Sequence, residues 1–327
     1  MPLTYGQIIQ LAAQSAHAPS ATTVALQLLN TVQTDICTTY DFAEARGQFF
    51  FSFTPSAITA SNFIGAQFGS GPYNMPMDYL RLSGSSGSVG SQRSFIWWLL
   101  GVPYPVIPCD LAEFDMQIQQ AGLNSYVWLS ATDMSAPVDD RVMLATTGTL
   151  TAATTTITAM ASTTRLVAGN VMGVAGQGIQ PGTTLSAITG NTISVSTAPL
   201  ITLTGASLMF GYSPTIYVYP PPSSAQPAMI RYQRMMPPIT DTTRYPWCHS
   251  DVYWVEKLTG YLCLLNDDYR AETLLGGPDV TGSPDNKLKL FLAGKDDDQS
   301  HPKTVQLDRR RFGSSMRTLP NTKTIGW

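Results

Sequence analysis

In a stretch of 64 residues, Gly148 to Gly211, Arg165 is the single charged residue. Threonine dominates this stretch, and polar and apolar residues alternate in runs such as "TTITAM" and "NTISVST". Period-two alternation with β-branched residues is typical of strands, and the intervening glycines are typical of turns. The sequence therefore predicts a small all-β module, sandwich- or barrel-like, over residues 147–211, inserted into a host domain.

Within this stretch, "GVAGQGIQPGTTLSAITG" is rich enough in glycine to suggest a nucleotide-binding loop. A phosphate-binding loop needs a lysine and a hydroxyl after its second glycine, and no lysine occurs between Arg141 and Gly211. A dinucleotide fingerprint needs a third glycine where Pro181 stands, followed by a helix. The run is therefore interpreted as turns between strands, with Pro181-Gly182 at the centre of a type II turn.

Composition favours a structural protein. Charged residues make up 13% of the chain, hydrophobic residues 43%, and the net charge is −3. Weakly charged, Thr- and Gly-rich chains are common among proteins that are buried in assemblies. The four cysteines lie far apart, which predicts neither a zinc site nor a disulfide framework. No apolar run reaches the length of a membrane span, so no membrane partner is expected.

A short helix is predicted over Gln7–Gln14 of the host domain, and two longer helices are predicted that each have one apolar face. The first of the two longer helices begins near Ser20, and the second runs from Ser250 to the glycines before Pro278. The residues predicted to pack in the helical core are Val24, Leu28, Val32 and Ile36 in the first helix, and Val255, Leu258, Leu262, Leu265 and Tyr269 in the second.

The host domain also contains strand-like runs. "GQFFFSFT" and "RSFIWWLL" are predicted strands, and "TIYVYP" and "AMIRYQRM" are predicted to form a hairpin across a Pro/Ser turn. The predicted fold class is α+β. A core domain, consisting of a helical bundle with β-hairpins or a sheet, would occupy residues 1–146 and 212–276. An extended C-terminal arm would occupy residues 277–327.

Residues with catalytic potential are few. "WCHSD", Trp247 to Asp251, combines a thiol, an imidazole and a carboxylate, but a helix entry with a packed tryptophan and a capping Ser250 or Asp251 is the preferred interpretation. The other candidates are read as structural or solvated groups: His17, His301, the pair Glu113 and Asp115, the run Asp296–Asp298, and the tryptophans Trp97, Trp98 and Trp128. No catalytic, cofactor-binding or metal-binding residues are predicted, and the chain is not expected to be an enzyme.

The C-terminal arm is basic and apolar. Arg309, Arg310 and Arg311 could bind an acidic groove on a partner protein, contact DNA phosphates or remain solvated. With Phe312, Leu319 and Trp327 they form the predicted partner-docking arm, which would become ordered on assembly.

Two parts of the sequence resemble known families. In residues 165–210, a V-x-G pattern followed by G-x-G-I-x-x-G-T-x-L resembles a small β-module found in tailed-phage virion proteins. The matching residues are Val167, Gly169, Gly176, Gly178, Ile179, Gly182, Thr183 and Leu185.

The host domain is similar, in the order of its elements, to head–tail adaptor (connector) proteins of short-tailed phages. The similarity rests on an N-terminal helical pair and an aromatic strand. It further rests on a Y-x-(L/M)-P-x-D turn (Tyr73, Met75, Pro76 and, one residue late, Asp78), on Pro246-Trp247, and on "NDDYRAE".

This resemblance implies a structural virion protein without cofactors. It would form a homo-oligomeric ring of about twelve copies that joins the portal protein to the tail nozzle, tail or fibre proteins. Genomic DNA would pass through the lumen without sequence recognition, and the protein would lie in the neck of the virion after assembly in the host cytoplasm. The alternative is a tail-spike, fibre-attachment or host-surface-binding protein, which exposed aromatic residues on the module would favour.

Overall fold

A computed structural model describes residues 2–40, 42–53, 70–83, 95–99, 101–110, 112, 114, 129–134, 141–219, 224–248 and 250–290. The chain divides into two compact units, Met1–Leu29 with Thr243–Trp327, and Asn30–Thr242. The division falls inside a helix, so this helix contributes residues to both units. The predicted boundaries at 147 and 211 do not coincide with it, because the inserted module belongs to the second unit.

The first unit is built on helices. They are α1 (Tyr5–Ser15), α3 (Asp251–Leu265), α4 (Arg270–Leu274) and a helical run over 284–290. α1 begins with a capping box, in which the Thr4 hydroxyl accepts from the Gln7 amide and the Gln7 side chain accepts from the Thr4 amide. α1 and α3 pack through Tyr5 and Trp254, whose rings meet edge to face at 5.7 Å.

Helix α2 (Thr22–Thr39) buries a different face from the predicted one. Val32 and Ile36 are buried as expected, but Leu28 is half-buried and Val24 is 41% exposed. Ala25 and Leu29 take the buried positions instead. Residues spaced by four advance about 40° around a helix at each step, so Val24 and Ile36 lie on different faces. The prediction that Val24 packs in the core is therefore wrong.

The second unit contains three sheets. The first has five strands, β1 (Arg46–Phe53), β3 (Tyr79–Leu82), β4 (Phe95–Leu99), β5 (Val102–Pro105) and β15 (Gln226–Arg234), and a short 3₁₀ turn, Ala43–Ala45, precedes β1. The strand order is β1-β15-β4-β5, with β3 also paired to β15. Alternate residues of these strands face an aromatic core that includes Phe53, Phe95 and Trp97.

The second sheet has the order β2-β14-β7-β6. Its strands are β2 (Ser70–Asn74), β6 (Ile107–Cys109), β7 (Leu129–Asp133) and β14 (Thr215–Tyr219). The predicted hairpin is wrong, because β14 pairs with β2 and β7 whereas β15 pairs with β1, β3 and β4. β15 instead pairs along its whole length with β1, and this pairing places Ala228 and Ile230 in the aromatic core.

The third sheet is the inserted module, and residues 142–211 contain strands as their only regular elements. The order is β10-β13-β8-β9-β12-β11. The strands are β8 (Val142–Leu150), β9 (Thr156–Thr158), β10 (Gly173–Gly176), β11 (Leu185–Thr189), β12 (Thr192–Val195) and β13 (Leu203–Gly211). A bridge between Gly173 and Thr184 and a bond from the Leu185 amide to the Met172 carbonyl connect the two ends of this order. The module is therefore a small closed barrel around its own apolar core.

The predicted fold class, with a helical bundle as the core of the host domain, is wrong. The described chain is mostly β-sheet, and the core of the second unit lies between sheets rather than between bundled helices. The predicted arm also begins too early. Residues 284–290 are helical, and Leu288 and Asp285 are buried. Residues 291–327 lie outside the described residues.

The glycine-rich run forms the turn that the sequence predicts. Gly182 has φ +79°, and the Thr183 amide donates to the Gln180 carbonyl, as in a type II turn. A Cβ at Gly182 would lie 2.5 Å from the ring of Phe49 on β1, so this turn of the barrel packs against the first sheet.

Replacing Gly182 with alanine is expected to lower the free energy of unfolding by about 1–3 kcal/mol, because positive φ and the Phe49 contact both penalise a side chain. Denaturant unfolding measures the change. Gly190→Ala is the matched control, since Gly190 also has positive φ, +59°, but has open space where a Cβ would be. A smaller loss at Gly182 than at Gly190 would contradict this explanation.

Candidate functional site

The candidate site is an exposed apolar surface at the connection between α3 and α4, which we call the corner. Leu264, Leu265 and Tyr269 are 55%, 60% and 85% exposed, and we call these three residues the corner patch. Large apolar side chains that are exposed this close together are typical of protein–protein contact surfaces. The corner patch is therefore a candidate interface.

Hydrogen bonds hold the backbone of this corner in place. The Asp268 carboxylate accepts from the Arg270 guanidinium at 2.6 Å and 2.9 Å and from the Arg270 amide at 2.9 Å. Arg270 also donates to the Ser15 carbonyl at the end of α1. The bonds from the Arg270 side chain and then its amide lower the pKa of Asp268 to about 2. The ion pair therefore persists at any pH near neutrality.

The corner patch contains two residues that the sequence places in the core. Leu258 and Leu262 of α3 are buried and Val255 is half-buried, but Leu265 and Tyr269 point outward. The helix ends at Leu265, so helical periodicity no longer applies to Tyr269. The prediction that Leu265 and Tyr269 pack in the core is wrong.

The module exposes aliphatic rather than aromatic side chains. Residues 141–219 are all described, and the exposed large apolar residues of the module are Val167, Val171, Leu200 and Ile201. Phe210 is buried and Tyr212 is half-buried. Sugar-binding sites rely on the flat faces of exposed aromatic rings, so this surface does not favour the glycan-binding alternative.

The candidates for chemistry that fall on described residues have structural roles. Trp247 packs on Trp254 at 6.5 Å, and the indole N–H of Trp254 donates to the Cys248 carbonyl. Ser250 is the N-cap residue of α3 but makes no side-chain capping bond, while the Asp251 carboxylate accepts from the Leu3 amide. Trp97 is buried and Trp98 half-buried.

His17 follows α1 and is exposed, with a φ of 55°. The other candidates lie outside the described residues. They are His249, His301, Glu113, Asp115, Asp296–Asp298, Trp128 and the arm residues Arg309, Arg310, Arg311, Phe312, Leu319 and Trp327. Over the described ranges, no group of three or more His, Cys, Asp or Glu side chains is placed to hold a metal ion. In the same part of the chain, no helix combines the length and the apolar character of a membrane span.

Cys37 on α2 is buried, and burial raises the pKa of its thiol to about 11, against opposing effects of the Met236 amide and the Arg81 charge. Because the folded thiol keeps its proton to higher pH than the unfolded thiol, its contribution to stability is present below pH 9.0 and is lost as the pH rises to about 11.

As the pH rises from 9.0 to about 11, we expect the free energy of unfolding of the parent protein to fall by about 2 kcal/mol more than that of Cys37→Ala. Urea unfolding at a series of pH values measures the difference. Equal pH dependence in the two proteins would contradict the assignment.

Each of the two units contains one buried charge cluster, and the sequence predicted neither of them. Asp78 of the resemblance motif is buried, and its carboxylate accepts from the Tyr232 hydroxyl at 2.9 Å and from Arg234 at 2.6 Å. In the first unit, the Lys257 ammonium pairs with the Asp285 carboxylate, which also accepts from the Tyr253 hydroxyl. The signal that could have revealed this pair is a lone lysine on the apolar face of α3.

Comparison with known proteins does not assign the chain to a family. No protein-family model matches the chain, and no curated protein shows significant similarity to it.

Proposed function

We propose that this chain is a structural subunit of a tailed-phage particle, a head-to-tail adaptor that forms a ring between the portal and the tail and continues the DNA channel. The class of protein comes from the resemblance of residues 165–210 to a virion β-module and of the host segments to adaptor proteins. The observation that carries the proposal is the corner patch, Leu264, Leu265 and Tyr269, which is apolar, exposed and held by hydrogen bonds.

The corner patch would be removed from water in a contact between subunits. About 25 cal/mol is gained for each Å² of apolar surface removed from water, and a patch of two leucines and a tyrosine on a fixed backbone costs little entropy to dock. The corner patch therefore contributes binding free energy to a neighbouring subunit. When such a contact is repeated with rotation, it closes into a ring.

Serine substitutions in the corner patch test this proposal. The triple variant Leu264→Ser, Leu265→Ser, Tyr269→Ser is expected to fold, since all three side chains are exposed, and to reduce the yield of joined heads and tails by about tenfold or more. The yield is counted by electron microscopy of particles assembled with the variant.

The matched control is Leu200→Ser, Ile201→Ser on the barrel, which removes exposed aliphatic side chains from a different surface. The proposal predicts near-parental assembly for this control. Normal joining of heads to tails by the folded corner variant would contradict it.

A further inference from the structure

The corner patch has an acidic border. Asp267 lies between the two leucines of the patch and Tyr269 in the sequence, Glu272 lies on the first turn of α4, and both acidic residues are exposed. Neither carboxylate pairs with a cation in the described part of the chain, whereas Asp268 is neutralised by Arg270. The corner therefore has an apolar centre and a negative border. A surface that fits it combines apolar and positive groups.

The first sheet of the second unit carries positive charge. Its five strands contain four arginines, Arg46, Arg81, Arg231 and Arg234, and no aspartate or glutamate. Arg234 is neutralised by the buried Asp78. The register of β1, β3 and β15 places the other three arginines on the side opposite the aromatic core, which we call the outer face of the sheet. The outer face is therefore complementary in charge to the corner.

An exposed aromatic ring lies beside one of these arginines. Phe50 of β1 is 63% exposed, and Gln48, two residues before it, is directly opposite Arg231 on β15. Opposed residues and next-but-one residues share one side of a sheet, so Phe50 and Arg231 are diagonal neighbours on the outer face. Arg231 is exposed and pairs with no carboxylate among the residues that the structure describes. We call Phe50 and Arg231 the outer-face patch.

We infer that the corner patch of one copy of this chain docks on the outer-face patch of a second copy. The leucines and Tyr269 would cover the ring of Phe50, and Asp267 and Glu272 would lie near the guanidinium of Arg231. Opposite charges at the border of an apolar contact steer association and fix its orientation.

Such a contact is head-to-tail. The two patches are different surfaces, one in each unit of the chain, so each copy offers one of them to either neighbour. A contact of this kind closes into a ring when its rotation allows. The inference rests on the proposed function, because it names the surface that receives the corner patch in the ring.

Complementation between two charge variants of the full-length protein tests this contact by sedimentation velocity. The corner variant is Asp267→Asn, Glu272→Lys, with asparagine at 267 because Asp267 has a positive φ, 54°, that asparagine tolerates. The outer-face variant is Arg231→Glu. Each variant alone brings like charges together, so its association constant should fall about tenfold or more below that of the parent. In an equimolar mixture, contacts between unlike chains join opposite charges, and association should return.

The matched control is Arg165→Glu, which reverses the charge of an exposed arginine on the barrel and should associate like the parent. Higher salt should weaken association of the parent, because the charges lie at an exposed border. An outer-face variant that associates like the parent, as a corner-to-corner contact predicts, would overturn the inference. A mixture no better than its separate components, or a parent that stays monomeric, would also overturn it.

Failure of this inference is distinguishable from failure of the proposed function. The joining of heads to tails is scored separately, on particles assembled with the corner patch substituted by serine. If those particles fail to join while Arg231→Glu associates like the parent, the corner patch binds a different surface and only the present inference falls.

Discussion

Asp78→Ala is expected to lower the free energy of unfolding of the second unit by about 3–5 kcal/mol, one of the two largest effects predicted for this chain. The substitution leaves the buried Tyr232 hydroxyl without its acceptor and removes the carboxylate that pairs with Arg234. Burial raises the pKa of Tyr232, and the nearby Asp78 charge raises it further, so this hydroxyl remains a neutral donor to the carboxylate. Burial lowers the pKa of Arg234, but Asp78 outweighs that effect and the pKa rises.

Amide exchange resolved by peptide measures this effect in the relevant unit. Exchange in β15 should accelerate in Asp78→Ala, while exchange in α3 should remain near parental. Asp78→Asn, which keeps an acceptor for Tyr232, should lose less stability than alanine. The control Asp279→Ala removes a carboxylate that is 92% exposed and should change stability by less than about 0.5 kcal/mol. Equal losses for Asp78→Ala and Asp279→Ala would show that the buried cluster does not hold the sheet.

Lys257→Met should destabilise the first unit by about 3–5 kcal/mol, because it leaves the buried Asp285 carboxylate without its cation. Lys257 and Asp285 are both buried, and the pair joins α3 to the helical run over 284–290. The double variant Lys257→Met, Asp285→Leu should recover most of the loss, since an apolar pair removes the uncompensated charge.

The control here is Lys289→Met, whose ion pair with Asp279 is exposed and should contribute little. Denaturant unfolding gives the free energies, and amide exchange should accelerate in α3 and not in β15. A double variant as unstable as Lys257→Met would contradict the charge argument.

Sequence patterns predicted local structure better than its assembly. The aromatic strands β1 and β4, the turn at Pro181-Gly182 and the all-β character of the module follow from alternation and from glycine chemistry, which are local properties. The strands with which β14 and β15 pair do not follow from local patterns, because tertiary packing decides which strands meet in a sheet. The apolar faces of α2 and α3 suggested a helical bundle, yet the aromatic core of the second unit, which includes Phe53, Phe95 and Trp97, is formed by strands.

The candidate interface was beyond a single-sequence prediction for a related reason. Leu265 and Tyr269 continue the apolar spacing of α3, and only the end of the helix at Leu265 turns them outward. Buried partners such as Arg234 and Asp285 are distant in sequence from Asp78 and Lys257, so their pairing also required the fold.

We propose that this chain acts as an assembled structural subunit that joins two parts of a particle. The most direct measurement is electron microscopy of particles produced without the chain, with and without the purified parent protein added back. We expect filled heads without tails in its absence and joined particles after addition, with a ring of density between head and tail. Heads that carry tails in the complete absence of the chain would contradict the claim.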